Sequence, residues 1–150
     1  MRLSPLDKHM SKMKENPLPR LAKAIENLRA CQLIFDHLPF RELSPNARHH
    51  WAVKARAVKA QREEAGWLAK SVWGNQDPMT YARISYEFKV TDKRQRDIDN
   101  LVSACKSFQD GLIDGGVILK DDSEHLAWWK ATITQGKAEQ TIVRIEEIIG

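Results

Sequence analysis

Two pairs of aspartates stand where carboxylates could hold a metal ion. In KRQRDIDNLVSACKSFQDGL, residues 93–112, three cations lead into Asp97 and Asp99, and a predicted helix follows. A second pair, Asp121 and Asp122, comes after a short apolar run. Carboxylates this close repel one another unless positive charge lies between them, and hard oxygen ligands suit Mg²⁺ or Mn²⁺. Metal-binding carboxylates beside cations that bind phosphate could carry out phosphodiester hydrolysis.

The two pairs would meet if the strands that precede them are parallel neighbours. YARISYEFKV, residues 81–90, alternates apolar and polar side chains, which predicts a half-buried strand. A helix from about residue 99 to Gly115–Gly116 and a second strand at 117–119 follow, and such a crossover would place the carboxyl ends of both strands side by side. The nearby cations that could neutralise four converging carboxylates, if a metal ion does not, are Lys93, Arg94, Arg96 and Lys106.

Each acidic residue also has a simpler explanation. Asp99 or Asn100 can cap the helix, and Lys106 and Asp110 can form an i,i+4 ion pair. Asp121–Asp122 can be part of a turn. Taken together, these explanations do not account for two acidic pairs at the ends of two consecutive predicted strands.

The rest of the chain predicts an α/β (α+β) fold: a single domain with a mixed β-sheet flanked by two main helices, in the order β-α-β-α-β-β. Residues 1–30 are basic and interrupted by prolines, which predicts an extension, either a mobile arm or a short helix, ahead of a domain over 31–150. The further predicted elements are a strand at 31–38, a helix from Ser44–Pro45 to about Trp73, and a β-hairpin of 126–133 with 140–148.

On the first long helix, apolar and basic residues separate into neighbouring sectors. The apolar face, predicted to pack on the sheet, consists of Ala47, Trp51, Ala55, Val58, Ala65 and Ala69. The basic sector is either solvated surface or a phosphate contact. It consists of Arg48, Arg56, Lys59 and Lys70.

Charge is distributed unevenly along the chain. Residues 1–75 contain 14 Lys and Arg against 7 Asp and Glu, whereas residues 76–150 contain 10 against 13. This asymmetry indicates a polyanion partner together with a carboxylate cluster, or else a random scatter of surface charge. No apolar run is long enough to span a membrane. The two cysteines, Cys31 and Cys105, fit no zinc or redox spacing, which favours reduced thiols in a cytoplasmic protein.

The pattern RQRDIDNL, a lysine, DGL and then GVILKDDSEHL resembles the RusA family of Holliday-junction resolvases, small endodeoxyribonucleases of bacteria and their prophages. The resemblance covers roughly residues 32–148 and is strongest over 84–126. LPFRELSPNARHHW, residues 38–51, is also similar to the strand and loop that lead into the family's first helix.

The resemblance implies a homodimer that uses Mg²⁺, with Mn²⁺ as a substitute, to make paired nicks in four-way DNA junctions during recombination and repair. It assigns Asp97, Asp99 and Asp122 as catalytic metal ligands, Asp121 as a supporting ligand and Lys106 as the catalytic lysine. Lys93, Arg94 and Arg96 would contact DNA, and the footprint could extend to Arg48, Arg56 and Lys59.

Lys106 departs from the family spacing. The family lysine follows the D-x-D-N motif about one turn later, at a position that Ser103 occupies here. A three-residue insertion would explain the difference. In one continuous helix it would leave Lys106 about 10 Å along the axis from Asp99.

Two alternatives to a nuclease remain open at this point. The chain could be a non-catalytic DNA-binding protein of the same fold, or a basic interaction module that regulates a partner protein.

Overall fold

The computed structural model describes residues 28–149, so the predicted extension over 1–30 lies almost wholly outside the described residues. A mixed four-stranded sheet carries α-helices on one face, which confirms the predicted α+β single-domain class. The elements are β1 (Ala30–Phe35), a 3₁₀ turn (Arg41–Leu43), α1 (Trp51–Trp73), β2 (Ala82–Val90), α2 (Ile98–Ser103), α3 (Lys106–Asp114), β3 (Leu126–Gln135) and β4 (Gln140–Glu147).

The strands lie in the order β1-β4-β2-β3. β4 is antiparallel to both of its neighbours, whereas β2 and β3 are parallel. Parallel neighbours need a crossover, and α2 with α3 supplies it. One face of the sheet forms the core, where Phe35 stacks on Phe108 of α3 with ring centroids 4.2 Å apart.

The predicted β-hairpin is wrong, because β2 lies between β3 and β4. Residues 136–139 pass the end of β2, where the Gly136 amide donates to the Val90 carbonyl at 2.9 Å. β4 buries Thr141, Ile142 and Val143 in succession, as a central strand does, whereas β3 is an edge strand exposed over most of its length. Its Trp128 and Trp129 are therefore exposed.

The predicted strand at 117–119 is also wrong. In the described residues it is reduced to one parallel bridge between Ile118 and Met79, just before β2. The chain then turns at Asp122, whose carbonyl accepts from the His125 and Leu126 amides, and β3 begins.

α1 begins at Trp51, later than the predicted start at Ser44–Pro45. Ser44 instead ends the 3₁₀ turn, with its amide donating to the Arg41 carbonyl, and His50 caps α1 by accepting from the Ala52 amide at 3.2 Å. Only the second half of the predicted apolar face is buried, because α3 is short and packs there. None of the helices within residues 28–149 combines the length and apolar character needed to cross a membrane.

The predicted single helix from residue 99 is broken between α2 and α3. The buried Gln61 side chain donates to the Ala104 carbonyl at 2.8 Å, and the Phe108 amide turns to the Cys105 carbonyl instead. The predicted end at Gly115–Gly116 is confirmed, since Gly115 caps α3 and Gly116 has a φ of 78°.

α1 and α3 approach so closely that glycine is required at their contact. A Cβ added to Gly111 would lie 2.4 Å from the Ala65 Cβ and 2.7 Å from the Arg62 carbonyl oxygen. At Gly115 it would lie 2.5 Å from the Ala69 Cβ. The neighbouring backbone atoms and alanine methyl groups cannot move aside. The clash of an added methyl group could therefore be relieved only if the two helices moved apart.

We therefore expect Gly111→Ala to lower the free energy of unfolding by about 2 kcal/mol or more through overpacking. Gly66→Ala is the matched control on the facing helix, because its added Cβ would meet nothing closer than 3.6 Å. The control should be neutral or stabilising, since alanine favours helix more than glycine does. Urea unfolding of both variants measures the difference, and equal stability of the two would contradict this account of the contact.

The same helix pair is joined at its surface by Arg62 and Asp114, which form two hydrogen bonds of 2.6 and 2.9 Å. The hydrogen bond from Arg62 lowers the pKa of the Asp114 carboxyl below its usual value. A lowered folded-state pKa gives stability that is present above the unfolded pKa and is lost as pH falls through the folded value.

Asp114→Asn should therefore lower the thermal midpoint at pH 7, and the difference from wild type should shrink as pH falls below about 4. A difference that is constant from pH 7 to pH 2 would contradict the assignment.

Candidate nucleic-acid interface and carboxylate clusters

A cleft of about 690 Å³ opens between the loop that leads into α1 and the loop that leads into α2. The first wall comes from residues 37–49, and the second from residues 94–104 with Glu139. These walls contain parts of the two sequence segments that resemble the nuclease family. The polar and charged side chains among the lining residues are His37, Arg41, Glu42, Ser44, Asn46, His49, Arg94, Arg96, Asp97, Asn100 and Glu139.

Gln61 holds the two walls of this cleft together. Its fully buried side chain accepts from the Phe40 amide at 3.0 Å and donates to the Ala104 carbonyl and to Ser107 Oγ at 2.7 Å. Sequence reasoning missed this residue. The available signal was a glutamine four residues before Ala65, on the buried face of α1.

The basic loop before α2 is partly neutralised from within by Asp92, which sequence reasoning also passed over. Arg96 donates to the Asp92 carboxylate at 2.7 Å and has only 11% of its side chain exposed. Arg94 lies 3.5 Å from the same carboxylate but is 63% exposed. The hydrogen bond from Arg96 lowers the pKa of Asp92, so Asp92 stays ionised and fixes the loop. Lys93 and Arg94 are the loop's accessible cations.

Asp97 and Asp99 have different surroundings despite their spacing. Asp97 lines the cleft and caps α2, where its carboxylate accepts from the Asp99 amide at 3.0 Å. Asp99 is exposed but is not among the cleft residues. The simpler expectation of a capping aspartate is therefore met by Asp97, rather than by Asp99 or Asn100.

Lys106 joins two carboxylates at the start of α3. Its Nζ donates to Asp110 at 3.1 Å and makes a short contact with Asp121. The hydrogen bond to Asp121 is the main cause that raises the pKa of Lys106, so the ammonium stays charged. The pair Lys106–Asp110 has the predicted i,i+4 geometry. Among the four cations that the sequence offers to neutralise these carboxylates, Lys106 is the one that contacts Asp121.

Asp122 faces a different partner. Its carboxylate lies 2.5 Å from His125 Nδ1 and accepts from the Glu124 amide at 3.0 Å. The hydrogen bond with His125 lowers the pKa of Asp122. Asp122 therefore has local partners of its own, in the turn that precedes β3.

The structure thus distributes the predicted ligands rather than gathering them. Asp97 follows the loop at the carboxyl end of β2, whereas Asp121 and Asp122 precede β3, whose first residue pairs with the first residue of β2. Within residues 28–149, no three His, Cys, Asp or Glu side chains are grouped so that they could hold a metal ion. The convergence expected from two neighbouring strand ends is therefore not present in this arrangement, and the assignment of these residues as ligands stays a prediction.

The predicted DNA-contacting residues of α1 and of the loop before it are accessible. Arg48, Arg56 and Lys59 are exposed, and Lys59 lies 3.9 Å from Glu63 at the next turn. Arg48 and Arg56 form no ion pair with any residue of the described range. Lys70 donates instead to the Gly74 carbonyl and to Asn75 at the end of the helix.

The chain is similar in sequence to a known protein. The chain is 27% identical over 130 residues to a protein of Xylella fastidiosa (strain Temecula1 / ATCC 700964) described as an uncharacterized protein, a match that spans 78% of this chain and 85% of that protein. No family model matches the chain. The resemblance to the junction resolvases therefore remains a prediction from the motifs.

We expect Gln61→Leu to lower the free energy of unfolding by about 2 kcal/mol or more. The substitution leaves the buried Ala104 carbonyl and Ser107 hydroxyl, and the partly buried Phe40 amide, without the partner that they have here. Each of the two buried groups costs about 1–3 kcal/mol when it is left unmet. Ser71→Ala is the control on the same helix, because Ser71 is exposed and its loss should change stability by less than about 0.5 kcal/mol. Chemical unfolding measures both, and a Gln61→Leu variant as stable as the control would show that Gln61 does not secure the cleft walls.

Proposed function

We propose that this protein binds branched DNA and cuts it as a metal-dependent endodeoxyribonuclease that resolves four-way junctions. The supporting observation is that the two sequence segments behind the family resemblance, separated by some fifty residues, line one cleft. Arg94 and Asp97 face His49 and Asn46 across it. A cleft that combines accessible cations with a carboxylate suits a phosphodiester backbone.

DNA would be held mainly through its phosphates. Lys93 and Arg94 present the accessible charge of the cleft loop, while Arg96 is tied to Asp92 and shapes the loop instead. Arg48, in the loop before α1, and Arg56 and Lys59 on α1 extend the positive surface. Phosphate contacts of this kind give affinity that falls steeply with salt.

The proposed cofactor is Mg²⁺, with Mn²⁺ as a substitute, and the ligands would be Asp97, Asp99, Asp121 and Asp122. As they are placed here, these residues do not form a metal site, so no step of the reaction is assigned to the metal. Lys106 and His125 now form hydrogen bonds with Asp121 and Asp122, so an ion bound by these carboxylates would compete with both contacts. A Lys106 side chain released from Asp121 would be free to approach the DNA backbone.

A non-catalytic DNA-binding protein is the second candidate. It is favoured by the protein partners that Asp97, Asp121 and Asp122 already have. In that case the acidic residues stabilise the loops around the cleft, and the cations alone recognise DNA.

Two further parts of the proposal follow from the substrate. A four-way junction has two-fold symmetry and needs two opposed cuts, so the active form would be a symmetric homodimer. Access to DNA also fits the cytoplasmic location predicted from the cysteines. Both cysteines are free and buried in the structure, and burial raises the pKa of each thiol.

A synthetic four-way junction incubated with the protein tests the proposal. With Mg²⁺ we expect paired nicks in opposite strands, which disappear with EDTA and in Asp97→Asn, while junction binding persists in both cases. Asp122→Asn should also abolish cutting. Asp114→Asn is the matched control, because Asp114 pairs with Arg62 away from the cleft, and this variant should cut normally.

Binding without nicks in either Mg²⁺ or Mn²⁺ would support the non-catalytic candidate. Cutting retained by Asp122→Asn would show that the proposed ligand set is wrong. Absence of junction binding at low salt would exclude both DNA functions and favour a module that regulates a partner protein.

A further inference from the structure

Trp51, the first residue of α1, leaves 75% of its surface exposed. Three other tryptophans of the described residues are also exposed, and Trp73 alone is buried, at 3%. A large aromatic side chain contributes to stability mainly through burial, so an indole this exposed adds little to the fold. Exposed tryptophan is instead a common feature of binding surfaces.

The charge around Trp51 distinguishes it from the other exposed tryptophans. Between Ala47 and Arg62 the chain contains no Asp or Glu, while its cations are Arg48, Lys54, Arg56, Lys59 and Arg62. Arg48, Lys54 and Arg56 form no ion pair within residues 28–149. Uncompensated cations around an exposed indole favour an anionic ligand that also offers flat apolar surface.

Two of the other exposed tryptophans, Trp67 and Trp129, have different surroundings. Trp67, 79% exposed on the same helix, lines a shallow groove with Asp36 and Glu64. Trp129 on β3 already carries the Arg83 guanidinium 3.6 Å from its ring centroid.

The position of Trp51 links it to the cleft. His49, two residues earlier, lines the cleft together with Arg94 and Asp97. His50 caps the helix and places its ring 5.4 Å from the Trp51 ring, at a tilt of 38°. The start of α1 is therefore fixed by its cap, and Trp51 follows a cleft residue, His49, by two positions in the chain.

We propose that Trp51 stacks on an unpaired base of the DNA whose phosphates Arg48, Lys54 and Arg56 contact. This inference rests on the proposed function, and it specifies the substrate: DNA that offers unstacked bases, as a single strand or a branch point does, in preference to continuous duplex. Aromatic side chains on a positively charged surface bind single strands in this way.

A protein partner fits this surface less well. The centres of protein interfaces are depleted in charged residues, whereas Arg48, Lys54 and Arg56 all lie within five residues of Trp51 in the chain. A second copy of the chain docked face to face here would also oppose two positively charged surfaces, which repel. Nucleic acid satisfies both the charge and the aromatic ring.

The test compares a 20-nucleotide single strand of thymidines with a blunt duplex of equal length, using wild type, Trp51→Ala, Trp51→Phe and Trp67→Ala. We expect Trp51→Ala to lose about tenfold or more in affinity for the single strand and little for the duplex. The slope of log affinity against log salt should not change, because no phosphate contact is removed. Trp51→Phe should recover most of the affinity, and Trp67→Ala should bind like wild type.

Equal losses of affinity for single strand and duplex in Trp51→Ala would overturn the inference. So would unchanged DNA binding, whether or not sedimentation shows a changed oligomeric state; a changed state would identify this face as a protein interface. If wild type cuts or binds junctions but Trp51→Ala does so equally well, this inference alone fails. If wild type binds no DNA of any form, the proposed function fails and the inference fails with it.

Discussion

The contact between α1 and α3 depends on the absence of side chains. Gly111 and Gly115 let the backbone of α3 approach Ala65 and Ala69 to distances that no Cβ on either glycine could tolerate. This approach brings α3 over the sheet at a height where Phe108 can stack on Phe35. It also brings Gln61 within reach of the carbonyl at the break between α2 and α3. The core, the helix break and the walls of the cleft are consequently set by the same close packing.

Several acidic side chains within residues 28–149 have local hydrogen-bond partners. Asp92 holds Arg96, Asp121 contacts Lys106, and Asp122 pairs with His125. Each pair fixes a loop or a helix start, so the carboxylates stabilise structure in this arrangement whatever else they do. A divalent ion that bound Asp121 or Asp122 would have to compete with Lys106 or His125 for the same carboxylate oxygens.

Much of the fold could be predicted from residue patterns, because β2 alternates cleanly and because Gly115–Gly116 can end a helix with little strain. The order of the strands could not. β3 and β4 are consecutive and separated by a short turn-forming segment, which favours a hairpin locally, yet β4 buries Thr141, Ile142 and Val143 in succession and lies between β1 and β2. The helix break was equally hidden, since it depends on the side chain of Gln61, 43 residues away from Ala104. For the site, the sequence identified the basic loop and Asp97, but the partners of Asp121 and Asp122 arise from the position of α3 and from the turn before β3.

The place of β4 has a consequence for how the molecule assembles. β4 follows the other three strands in the chain, yet it separates β1 from β2 and pairs with both. Within the described residues β1 pairs only with β4, so β1 cannot join the sheet until residues 140–147 have been synthesised. The sheet is therefore completed in a late step of assembly.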